Sequence, residues 1–140
     1  MRLSVKRAVV DTNIIVSSAL SSKGNPTQIM NLISDNKIQL FYCSKILDEY
    51  IRVLAYQKLN IAPQTQKNII TAIESIGVLV EPTISNISFL DESDRVFYDV
   101  ARSSKAILIT GNLKHYPTDE FIKTPTEFLT MYADQITNNK

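Results

Sequence analysis

Arg7–Asn13, RAVVDTN, decides the fold of this chain. Three apolar residues, Ala8, Val9 and Val10, run straight into a carboxylate, Asp11, and two small polar residues precede the next apolar pattern. A short run rich in β-branched residues suits a buried strand, and Thr12 or Asn13 is suited to cap a following helix. Asp11 is therefore expected at the carboxyl end of a strand. In an open parallel α/β sheet, that edge is where ligands bind.

Working outward, short apolar runs alternate with helical periodicity. Ile14–Leu20 continues as a helix, Ser21–Pro26 is a loop, and a second helix opens at Pro26 and Thr27. Gln39–Cys43 reads as the second strand, with Ser44 as N-cap of a helix from Lys45 to about Tyr56. A helix over Gln64–Ile76 stops at Gly77, and Val78–Val80 forms a third strand closed by Glu81 and Pro82. Thr83–Leu90 is irregular or weakly extended. Ser93–Ser103 is the next helix, and Ala106–Ile109 a buried strand ending in Thr110-Gly111-Asn112. A short helical turn over Leu113–Pro117 and an extended piece at Phe121–Ile122 precede a last helix, Thr126–Ala133, with a frayed tail over Asn138–Lys140. Strands alternating with helices predict an α/β fold: a parallel sheet of four to five strands covered on both faces in three α/β/α layers.

The chain's 140 residues, 44% of them hydrophobic, suffice for one domain over 1–140 with a substantial core. Fifteen lysines and arginines nearly balance fourteen acids, so any footprint for nucleic acid has to be local. The single cysteine, Cys43, excludes an intrachain disulfide and a cysteine metal site, and the single histidine excludes a histidine-rich one. There is no stretch of membrane-spanning length and no signal-peptide pattern, so a cytoplasmic, membrane-free protein is expected.

Four positions compete for chemistry: Asp11, Glu49, Asp94 and Asn112. On the Ser44–Leu54 helix the apolar stripe leaves Asp48 facing water and puts Glu49 at its border. On Ser93–Ser103, Asp94 falls at the edge of the buried face in the first turn, and Asp99 further out. Taken singly, Asp94 reads as a helix-dipole partner and Glu49 as a solvated face residue. Asp11 is harder to dismiss, because an acid directly after a buried strand is costly unless solvated or paired. Two carboxylates about 4–5 Å apart repel by roughly 3–4 kcal/mol at an effective dielectric near 20. Three in one crevice therefore need a cation or a proton, and all-oxygen ligation suits Mg²⁺ or Mn²⁺. Arg95 and Lys114 are the nearby cations.

The segments VVDTNIIVSSAL, ILDEYIRVL, DESDRVFYDVA and ILITGNLKHYP, in this order and spacing, resemble the PIN domain, and more narrowly the bacterial VapC-like toxins of toxin–antitoxin pairs. The resemblance covers nearly the whole chain and implies a Rossmann-like sheet and metal-dependent endoribonuclease activity. By position, Asp11, Glu49 and Asp94 match the acidic ligands, and Asn13 and Thr110 match the polar residues that orient them. Asn112 stands where many PIN domains carry a fourth acid, which points to a single hydrated Mg²⁺ or Mn²⁺. Arg95, Lys105, Lys114 and His115 are candidates for a basic rim that draws in RNA phosphate, and His115 for stacking on a base. The resemblance further implies a homodimer silenced by an antitoxin protein. Two rivals remain. A catalytically inert PIN module would only bind protein or RNA. A haloacid dehalogenase-type phosphotransferase would need a second aspartate where this chain has Asn13, and would place its later acids after Thr110 rather than before it.

Overall fold

A computed structural model of the chain describes residues 3–89 and 91–138. Five parallel strands form the sheet: β1 (Arg7–Val10), β2 (Gln39–Tyr42), β3 (Val78–Leu79), β4 (Ile107–Ile109) and β5 (Ile122–Lys123). Their order across the sheet is β3-β2-β1-β4-β5. The chain thus steps outward from β1 in one direction and later returns to build the other half from β4. That reversal between β1 and β4 is the topological switch point where parallel α/β sheets open a crevice at their carboxyl edge.

Six α-helices flank the sheet among the described residues: α1 (Thr12–Leu20), α2 (Asn25–Ser34), α3 (Ser44–Leu54), α4 (Pro63–Ile76), α5 (Arg95–Ser104) and α6 (Pro125–Asn138). Helix α5 packs across β1, β2 and β4, and α3 bridges α1, α4 and α5. The predicted three-layer α/β/α class is the observed one. Ala8, Val9, Val10, Leu40, Leu108 and Ile109 are sealed from solvent, because central strands covered on both faces are apolar throughout. None of the described helices is long and apolar enough to cross a membrane.

Several boundaries differ from the sequence reading, each for a local reason. Asp11 rather than Thr12 or Asn13 occupies the N-cap position of α1, and its carboxylate makes no cap bond because it is turned toward the crevice. Cys43, not Ser44, precedes α3. Residues Glu92–Asp94 form a 3-10 turn, so α5 begins at Arg95 and Asp94 stands immediately before it. The last helix runs five residues past Ala133, to Asn138, and the rest of the expected frayed tail lies outside the described residues, as does Leu90. Gly77 ends α4 in an extended conformation rather than the left-handed one usual for glycine there. Glycine is needed for room: a Cβ would lie 2.7 Å from the Ile73 carbonyl oxygen and 2.7 Å from the Tyr42 ring.

Candidate active site

Strand register begins the assembly of the site. Val10 pairs with Ile109, and the Asp11 amide donates to the Ile109 carbonyl at 2.9 Å, so the next residues of the two strands, Asp11 and Thr110, meet at the switch point. There the Thr110 hydroxyl donates to Asp11 Oδ2 at 2.8 Å and accepts the Asn112 amide at 3.0 Å. Tyr116, which the sequence reading did not single out for this role, donates a longer bond, 3.3 Å, to the same Oδ2. Its ring is held edge-on by Phe89, which also packs edge-on against Tyr98. Burial, reinforced by the charges of Asp11 and Asp94, raises the Tyr116 hydroxyl far above the usual phenol range, so it remains a donor. Asp11 is 8% exposed and its orientation is fixed by two hydroxyl groups.

Glu49 arrives by a different route. Its neighbour Tyr50 is fully buried and donates to the Val10 carbonyl at 2.5 Å, tying α3 to the end of β1. The Glu49 side chain, 19% exposed, then takes a hydrogen bond from the Thr12 hydroxyl, with Arg52 3.9 Å from its other oxygen. Asp48 faces solvent, as the helical angle predicted. Asn13, expected to orient the carboxylates, is exposed, and Thr12 makes the contact instead. One position of helix phase explains the difference: with α1 beginning at Thr12, that residue rather than Asn13 points inward.

Asp94 closes the group. Its side chain is 14% exposed, and its Oδ2 lies 3.3 Å from His115 Nδ1 without an aligned hydrogen bond. Burial raises the carboxyl to about 6; His115 opposes the shift, whereas the charges of Asp11, Asp91 and Glu49 add to it. Asn112 does not face the carboxylates through its side chain. Its amide Nδ2 lies 2.9 Å from His115 Nε2, which leaves the ring's Nδ1 facing Asp94. Asn112 therefore steadies His115, and His115 steadies Asp94.

The expected basic rim is only partly assembled. Arg95 donates to Glu92, to the backbone and hydroxyl of Ser85 and to the Ile87 carbonyl, and its guanidinium lies over the Phe89 ring. It is a strap on the preceding segment rather than a free cation. Lys105 ends α5 in a left-handed conformation ahead of β4, at the opposite edge of the sheet from Thr110, about 16 Å of extended chain away. Lys114 and His115 remain exposed beside Asn112.

Asp11 accepts from the Tyr116 hydroxyl, and the charges of Asp94 and Glu49 add to the rise in its pKa. Among the described residues no group of three or more Asp, Glu, His or Cys side chains is placed to hold a metal ion. The donor set is all hard oxygen, and Asp94 contributes a buried oxygen that lacks a hydrogen bond. Such donors fit a small divalent ion that keeps most of its water, held by one or two carboxylates rather than by a complete protein cage.

A parallel α/β domain with acidic side chains at the carboxyl edge of its sheet has the layout of a ligand-binding crevice. A family model described as the PIN domain matches residues 7–114, and the chain belongs to that family. An uncharacterized protein of the archaeon Methanocaldococcus jannaschii is 32% identical over 115 residues, covering 76% of this chain and 70% of that protein. No solved structure matched the chain. PIN domains are typically metal-dependent nucleases, which places the chain among phosphodiester hydrolases at that coarse level.

Proposed function

We propose that the protein is a metal-dependent endoribonuclease that hydrolyses RNA phosphodiester bonds. The observation that carries this reading is Asp94: a sealed carboxylate oxygen without a hydrogen bond, its acidity weakened by burial first and then by the charges of Asp11, Asp91 and Glu49. A carboxylate whose ionised form is disfavoured in this way is matched to a cation. Asp11 and Asp94 would hold a divalent ion, Mg²⁺ or Mn²⁺, and Glu49 would reach it directly or through water. When bound, such an ion supplies an activated water and neutralises charge developing on phosphate. The chain's own part is orientation. Thr110 and Tyr116 aim Asp11, Thr12 aims Glu49, and Asn112 through His115 steadies Asp94. Lys114 and the exposed edge of His115 are left to meet the phosphate backbone.

The toxin role, with an antitoxin that covers the cleft and a homodimeric state, rests on the sequence resemblance to VapC-like proteins. Growth arrest on expression, relieved by Asp11→Asn, is its cellular signature.

The nuclease reading is tested with purified protein, labelled single-stranded RNA and Mg²⁺ or Mn²⁺. Asp11→Asn is expected to reduce cleavage at least 100-fold, and chelation to abolish it. Cleavage by Asp11→Asn at the wild-type rate would overturn the assignment. Calorimetry with Mn²⁺ separates an inert module, which would bind no ion at millimolar concentration.

A further inference from the structure

Beside the carboxylate cleft, and sharing Glu49 with it, a cavity of about 560 Å³ opens between the first turns of α3 and the start of α5. That is a common size for a small-ligand site. Pro82, Ile84 and Val96 give it apolar walls, with Ile84 77% exposed. Asp99 lines the same cavity. Contrary to the outward position expected from the sequence, Asp99 is 2% exposed, and its Oδ1 has no hydrogen-bond partner among the described residues. A buried carboxylate oxygen without a partner is an acceptor waiting for donors.

We propose that this cavity is a nucleobase subsite for the RNA strand next to the cleaved phosphate, and that Asp99 selects guanine. The inference rests on the nuclease reading for its substrate. A carboxylate can only accept, and the Watson–Crick edge of guanine alone offers two adjacent donors, the N1 imino and the exocyclic N2 amino groups. Adenine, cytosine and uracil each set an acceptor beside their donor, and that acceptor would confront the second carboxylate oxygen. A phosphate is a poor occupant, because carboxylates outnumber cations along the walls and Arg95 is already committed to Ser85, Ile87 and Glu92. The apolar walls suit the faces of a base.

Two readouts keep the subsite separable from the catalysis. In the first, RNA oligonucleotides carrying each base in turn at the positions flanking the cleavage point are compared, with inosine replacing guanine to remove only the N2 amino group. Wild type should favour guanine at one flanking position at least tenfold, inosine should forfeit most of that advantage, and Asp99→Asn should level the ratio. In the second, chemical-shift titration follows the binding of guanosine, inosine and cytidine monophosphates to the metal-free protein. Guanosine monophosphate should perturb α3 and α5 amides in wild type and not in Asp99→Asn, whose folding is checked by the same spectra; Val96→Phe, which fills the cavity, should act alike if Asp99→Asn fails to fold. Cleavage without base preference, or a preference unaltered in both variants, overturns the subsite and leaves the nuclease standing. Guanosine binding that depends on Asp99, in a protein that cleaves no RNA, does the reverse.

Discussion

Asp94 illustrates how much a single carboxyl group can cost a fold that tolerates it for another purpose. Its folded value of about 6 lies above its ordinary 3.8, so the folded chain retains the proton over a window in which the unfolded chain has released it. The stability this group supplies is complete below pH 3.8 and is lost as pH rises through 6. At pH 7.5 without metal, the ionised side chain is therefore a liability. Asp94→Asn is expected to be more stable than wild type there by about 1–2 kcal/mol, after discounting for solvent screening. The advantage should shrink at pH 4.5, and denaturant melts at the two pH values check the sign. Part of this residue-scale picture was legible beforehand, since angular position on α3 separated Glu49 from Asp48. Tyr116 and Asp99 were not. A tyrosine in a polar turn gives no sign that it will fold back onto Asp11, and an acid on a helix is assigned to water by any rule based on average burial. What marks Asp99 in retrospect is its placement between Val96 and Val100 on the strongly amphipathic α5.

Among elements, the junction of α3 with β1 positions Glu49 most directly. The Tyr50 hydroxyl bonded to the Val10 carbonyl joins the helix bearing Glu49 to the strand ending at Asp11. Tyr50→Phe keeps the ring packing but leaves a buried carbonyl unpaired, at about 1–3 kcal/mol. It should lower the melting temperature and, through a loosened Glu49, reduce cleavage more than it weakens RNA binding; comparing kcat with KM shows which. Element identity was plain in the sequence because apolar runs and helical periodicity alternate so regularly. Element starts were not. The 3-10 turn over Glu92–Asp94 has the same composition as a helical first turn, and only the hydrogen bonds, such as Asp94 amide to Asp91 carbonyl at 3.0 Å, distinguish the two.

For the whole molecule, Asp11 after β1, Glu49 on α3 and Asp94 ahead of α5 are far apart in sequence, so a metal that bound them would favour the folded state. Saturation at 100 times its dissociation constant stabilises by about 2.7 kcal/mol. Mn²⁺ should therefore raise the melting temperature of wild type and not of Asp11→Asn. The rise should be larger at pH 7.5 than at pH 5, because below about 6 the ion has to displace the proton on Asp94. The parallel order of the sheet was foreseeable from its apolar strands, whereas the placement of Lys105 at the far edge required knowing the direction of β4. The Arg95 strap has a last consequence at this scale. By fastening Ser85 and Ile87 to the first turn of α5, it mounts the outer wall around Ile84 on the same helix that carries Asp99. A visitor to that cavity meets a receptacle already in shape, and the entropy that a mobile flap would forfeit on closing has been surrendered once, during folding.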